Sequence, residues 1–114
     1  MAEILKESLV FEEVAALGYE KILKITDESV GLNAIICIHD TRLGPALGGT
    51  RIYPYPTFEA ALTDVKRLAK GMTYKSAIAE TGLGGGKSVI LCDRKKKTKE
   101  LLISFARAVN RLEG

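Results

Sequence analysis

Lys75 and Lys87 bracket a stretch, residues 76–86, that holds neither Lys nor Arg although the chain carries 17 of them. That isolation separates them from the basic residues of solvated faces and makes them candidates for chemistry. Two ammonium groups converging on one cleft would bind an anionic substrate, and their mutual repulsion would favour proton loss from one, giving a base near neutral pH. Between them, Gly82, Gly84, Gly85 and Gly86 put four glycines into five positions. Such a run lets backbone approach a ligand closely or take positive φ. Ser88-Val89-Ile90-Leu91-Cys92 then predicts a buried strand over residues 88–92, with Lys87 at its mouth. The plain alternative is a structural loop beside exposed lysines, and spacing alone favours neither.

A second glycine-rich segment, Gly44-Pro45-Ala46-Leu47-Gly48-Gly49-Thr50-Arg51, reads as a tight loop. It is either a turn or a second pocket wall, where the N–H groups of Gly48 and Gly49 could receive a carboxylate. Neither segment is a nucleotide motif. Gly86-Lys87-Ser88 matches the end of a phosphate-binding loop, but Thr81 holds the position of its leading glycine and a strand follows where a helix is required. The dinucleotide pattern Gly-x-Gly-x-x-Gly, started at Gly82, ends on Lys87.

The elements that must position these residues follow from periodicity. Residues 1–17 carry Ile4, Leu5, Leu9, Val10, Phe11, Val14 and Leu17, a spacing compatible with one or two helical turns. Tyr19–Thr26 and Leu32–Ile38, separated by the polar Asp27-Glu28-Ser29, predict a β-hairpin. His39 closes the second strand and reads as a hydrogen-bonded structural residue. Arg51-Ile52-Tyr53 extends a third strand, stopped by Pro54 and Pro56. From an N-cap at Thr57, Phe58, Ala61, Leu62, Val65, Leu68, Ala69 and Met72 fall on one helical face. Gly71 weakens or ends that helix, with Lys75 near its C-terminal end. After a polar turn over residues 93–97, Leu101, Leu102, Phe105, Val109 and Leu112 mark a last helix.

With 114 residues, 46% apolar and 27% charged, the chain is expected to form one globular domain over residues 1–114. No apolar run approaches the roughly 20 residues of a membrane helix, and no signal peptide is evident, so a cytoplasmic protein with no membrane partner is expected. Cys37 and Cys92 lie in apolar runs without Cys-x-x-Cys spacing, which predicts reduced thiols and no metal site. The net charge of +3 owes much to residues 94–99, a short basic turn that reads as solvated surface, not a nucleic-acid footprint.

Five blocks of residues carry a resemblance: Ile38-His39-Asp40-Thr41, Leu43-Gly44-Pro45-Ala46-Leu47-Gly48-Gly49, Arg67-Leu68-Ala69, Gly71-Met72-Thr73-Tyr74-Lys75 and Gly84-Gly85-Gly86-Lys87. Together they resemble the leucine, phenylalanine and valine dehydrogenase group of the amino-acid dehydrogenase superfamily, leucine dehydrogenase most of all. The match runs from about residue 20 to residue 112. The resemblance implies an α/β fold, a three-layer sandwich with a mixed, mainly parallel sheet. It implies that Lys75 binds the substrate's α-carboxylate and that Lys87 is the catalytic lysine, which activates water and stabilises the carbinolamine. It places Gly48 and Gly49 beside the substrate, and Leu47 and Met72 at the border of the amino-acid side chain. The implied reaction is oxidative deamination of a branched-chain or aromatic L-amino acid to the 2-oxo acid and ammonium, with NAD as hydride acceptor, in a homo-oligomer. The family's Thr-Ala-Glu-Asp segment, with its catalytic aspartate, and the Rossmann domain that binds NAD are expected beyond Gly114. The fragment is therefore expected to be inactive alone. The competing expectation is a free-standing binding or assembly module that keeps the substrate loop.

Overall fold

The computed structural model describes residues 8–15 and 17–112. Its strands are β1 (Leu9–Val14), β2 (Lys21–Asp27), β3 (Leu32–Asp40), β4 (Ala46–Leu47), β5 (Thr50–Tyr53) and β6 (Gly84–Leu91). Its helices are α1 (Phe58–Ile78) and α2 (Lys99–Arg111), with a 3₁₀ turn at Arg94–Lys96. The six strands form one sheet in the order β1-β2-β3-β6-β4, with β5 also paired to β6.

The fold is the expected α/β sandwich with a mixed sheet, but antiparallel pairings dominate where mainly parallel ones are implied. β1–β2, β2–β3 and β3–β6 are antiparallel, and only β4 and β5 run parallel to β6. The reason lies in the connections. The turn between β2 and β3 is held by Asp27, whose Oδ1 accepts from the Ser29 amide, and by Gly31 at φ +71°; so tight a link allows only a hairpin. The β5–β6 link contains all of α1 and can make the parallel crossover.

β1 is a further correction. Residues 9–14 pair with β2 in place of forming helical turns, because Val10, Phe11 and Val14 suit a pleated edge and β2 offers one. The rest of the segment expected to be helical falls partly on residues 1–7 and 16, outside the described residues.

The sheet's two faces each carry a helix. α2 sets Leu101, Phe105 and Ala108 against Leu23, Ile25, Leu32, Ala34 and Ile90. α1 sets Ala61, Val65 and Ala69 against Ile22, Ile35, Cys37 and Val89. Alternate residues of β2, β3 and β6 thus serve opposite layers, which makes the three-layer arrangement. Thr57 caps α1 as expected, its side chain accepting from the Ala60 amide, and Thr98 caps α2 in the same way. Gly71 does not end the helix: α1 runs through it to Ile78. Among the described residues no helix is long and apolar enough to cross a membrane.

Candidate active site

β6 begins four residues before the strand expected at 88–92, so Gly84, Gly85 and Gly86 are strand residues and Lys87 lies inside the strand, not at its mouth. The glycine run is needed for close packing against protein. A Cβ on Gly85 would stand 2.2 Å from the backbone nitrogen of Thr73 in α1, and one on Gly84 would stand 2.0 Å from the Asp40 carbonyl oxygen. Of the four glycines only Gly82 has positive φ, at +75°. Neighbouring backbone thus closes Gly84 and Gly85, whereas Gly82 faces open space.

Gly48 and Gly49 interrupt what is otherwise one strand beside β6. Ala46 and Leu47 pair with Gly84 and Gly85, and Thr50 onward pairs with Ser88 onward, so the register is unchanged across the gap. A Cβ on Gly48 would lie 1.7 Å from the Gly86 carbonyl oxygen, which excludes any side chain there. At Gly49 the neighbour is the functional group itself: a Cβ would stand 3.4 Å from Lys87 Nζ. The half-buried Lys87 ammonium therefore lies over bare backbone.

Lys87 lines an open cleft of about 830 Å³ on the α1 side, with Arg51, Tyr53, Leu68, Asp93 and Arg94 also in its wall. A smaller cavity of about 170 Å³ includes Gly48, Gly49, Gly86, Lys87, Val109 and Leu112. The structure thus brings Gly48, Gly49 and Lys87 together. Lys75 is exposed in the last turn of α1, and Met72 is partly buried one turn before it; neither lines these cavities. Leu68, Met72 and Lys75 lie at i, i+4 and i+7, one stripe of the helix, and Leu68 faces the Lys87 cleft. Lys75 thus shares a helical stripe with Leu68 but stands outside the Lys87 cleft.

Arg51 of that wall joins a network of residues that spacing did not single out. Asp64 of α1 accepts from Tyr55 Oη and from Arg67 Nη2 at 2.7 Å, and Arg51 Nε lies 3.6 Å away. Burial pushes the Asp64 carboxyl up, but the Tyr55 and Arg67 hydrogen bonds and the Arg51 charge hold it below the usual carboxylate range. Burial and the Asp64 hydrogen bond push the Tyr55 phenol up to about 12. The network straps β5 and its following loop to α1, while the Arg51 guanidinium stacks 4.7 Å over Tyr53. Cys37 pairs with Lys87 across β3 and β6; both cysteines are free, and burial raises the Cys37 thiol to about 11.

His39 is hydrogen-bonded, as expected: its Nδ1 lies 2.8 Å from Thr73 Oγ1. No local pattern links residues 34 positions apart, so only the fold could have disclosed that pair.

The sequence model for the Glu/Leu/Phe/Val dehydrogenase dimerisation domain matches residues 10–113. The leucine dehydrogenase of Bacillus subtilis is 51% identical over 92% of this chain and 29% of its own length. The L-tryptophan dehydrogenase of Nostoc punctiforme is 49% identical over 93% and 30%. The crystal structure of L-tryptophan dehydrogenase from Nostoc punctiforme superposes with a TM-score of 0.82, at 49% identity, over 84% of this chain and 29% of that one. A hetero-hexameric glutamate dehydrogenase from Thermus thermophilus superposes with a TM-score of 0.55 at 27% identity, over 84% and 21%. This chain thus spans under a third of the length of the relatives it matches. It belongs to the Glu/Leu/Phe/Val dehydrogenase family, of which it carries the dimerisation domain.

Proposed function

We propose that this domain binds the substrate in an NAD-dependent L-amino-acid dehydrogenase acting on a branched-chain or aromatic L-amino acid. The observation that carries the reading is Lys87, half-buried with its Nζ over the bare backbone of Gly49, in a cleft that Leu68 of α1 also lines. Lys75 holds the α-carboxylate. Leu47 and Met72 are the positions bordering the amino-acid side chain. With its amine neutral, Lys87 takes the proton of the water that adds to the substrate's α-carbon at the imine stage, and as the ammonium returns that proton to the nitrogen as the C–N bond breaks and ammonia leaves. Two acid–base transfers at one lysine need a fixed side-chain nitrogen, which a residue inside a paired strand provides. NAD is assigned to a second domain, since Gly84 and Gly85 here are closed by backbone. The isolated 114-residue chain is accordingly expected to show no turnover and no heat on titration with NAD. The domain is also the surface through which copies associate.

The test is the kinetics of the complete dehydrogenase. Lys87→Ala should lower kcat by about 10²–10⁴-fold, the usual worth of a positioned acid–base group. Lys75→Ala should chiefly raise KM, because it removes binding shared by ground and transition states. Near-normal kcat in Lys87→Ala between about pH 7 and pH 11, across the range where a lysine titrates, would sink the assignment.

A further inference from the structure

The C-terminal end of α1 needs an external anchor. Gly71 is exposed, and a Cβ there would touch nothing within 4 Å, so it contributes no packing while weakening the helix relative to Ala. Beyond Thr73 only Ser76 is buried, and Ile78 is 84% exposed. Lys75 stands in this weakly held turn. What holds it is Thr73: its backbone nitrogen and its Oγ1 both come within 2.2 Å of a Cβ placed on Gly85, so helix backbone sits directly on β6.

Thr73 is in turn hooked to β3. Its hydroxyl lies 3.4 Å from the Ala69 carbonyl, to which it donates, and 2.8 Å from His39 Nδ1. A hydroxyl donating along its own helix can accept from the imidazole in the tautomer that carries the proton on Nδ1. His39 occupies a special backbone position. In the β3–β6 ladder Ile38 pairs with Gly86 and Asp40 with Gly85, so His39 is the extra residue of a β-bulge. Bulges re-aim side chains and recur beside active sites. The ring is then wedged edge-on between Tyr19, 4.9 Å away, and Tyr74, 6.4 Å away, while the Tyr19 hydroxyl donates to the Lys66 carbonyl of the same helix. This cluster grips the flank of α1 opposite to Lys87.

We infer that His39, acting through Thr73, is a positioning residue for substrate binding: it seats the last turn of α1 on Gly85 so that Lys75 and Lys87 face one substrate. Lys75 is two residues beyond Thr73 in α1 and Lys87 two residues beyond Gly85 in β6, so both lysines lie close in the chain to that contact. The inference rests on the assignment of Lys75 to the carboxylate.

The test uses the complete dehydrogenase and the 2-oxo acid as varied substrate. Thr73→Val keeps the side chain's shape and loses the hydroxyl, and His39→Leu loses the ring nitrogen. Each should raise KM about tenfold, the scale expected of a small misplacement, while kcat at saturation stays within about twofold. Thr73→Ser and His39→Asn, which keep a hydrogen-bonding group at Oγ1 and near Nδ1, should restore KM to within about twofold of the parent. His39→Gln, whose amide extends toward Nε2, should not. In hydrogen exchange, the amides of residues 75–78 should exchange faster in Thr73→Val than in Thr73→Ser. Parental KM in Thr73→Val, or equal KM in His39→Asn and His39→Leu, would overturn the inference. Lys75→Ala separates the two failures: if it raises KM and Thr73→Val does not, only the positioning role falls, and if it leaves KM unchanged, the carboxylate assignment falls.

Discussion

The two faces of the sheet are packed by different means. On the α2 face large side chains meet large side chains, with Leu101 and Phe105 set against Leu23, Ile25, Leu32 and Ile90. On the α1 face the helix contributes Ala61, Val65, Ala69 and Ser76, and at its far end it meets a strand with no side chain at all, Gly85. Interdigitating side chains tolerate some repacking, whereas backbone on backbone has no rotamer to change. Lys75 and Met72 lie on α1, and Lys87 lines the cleft on the α1 side. The proposed site, with one lysine from a helix and one from a strand, would gain positional accuracy where the two backbones touch.

The largest effect that would break this contrast is at Gly85. Gly85→Ala is expected to destabilise by about 4 kcal/mol or more, since the added methyl meets Thr73 backbone at 2.2 Å with nothing free to move aside. Phe105→Ala on the other face should cost about 3 kcal/mol through its cavity, and should leave KM and kcat of the assembled enzyme unchanged. Denaturant unfolding of both variants compares them directly; a Gly85→Ala protein within about 1 kcal/mol of the parent would remove the distinction between the faces.

The next effect sharpens the contrast on the α2 side, where the polar anchor is buried. Asp27 accepts from Ser104 Oγ at 2.5 Å and from Ser29 Oγ at 2.5 Å. Burial pushes its carboxyl up, but the Ser104 and Ser29 hydrogen bonds and the Arg107 charge together hold it below the usual range. A depressed carboxyl contributes stability that is present above the ordinary value, about pH 4, and is lost as pH falls through the native one. Ser104→Ala should cost about 1–2 kcal/mol near neutral pH and move the acid loss to higher pH. Asp27→Asn should flatten the acid limb of the stability profile. An unchanged acid limb in Asp27→Asn would assign that limb to other carboxylates.

The smallest effect, of opposite sign, lies at the end of α1. Glu80 has φ +55° just after the C-cap Ala79, a conformation that costs a side-chain-bearing residue about 1 kcal/mol. Glu80→Gly should therefore raise Tm by a few degrees, equivalent to about 0.5–1 kcal/mol, with KM for the oxo acid unchanged. A lowered Tm would show that the Glu80 side chain contributes more than its backbone strain removes.

Local signals were legible in the sequence wherever the cause was local. The 3.6-residue periods of α1 and α2, the cap at Thr57, the β2–β3 hairpin around Asp27 and the stop of β5 at Pro54 all followed from neighbouring residues. So did the choice of Lys75 and Lys87, through their isolation and the family blocks around them. The fold alone decided what depends on partners distant in the chain. Residues 9–14 became a strand because β2 presented an edge, and α1 continued past Gly71 because Thr73 docks beyond it. The same holds for the glycines before Lys87. A missing Cβ serves a positive φ, a close ligand or a close backbone equally well, and sequence does not distinguish the three. Only the arrival of Thr73 over Gly85, and of the Asp40 carbonyl over Gly84, made this run a packed strand.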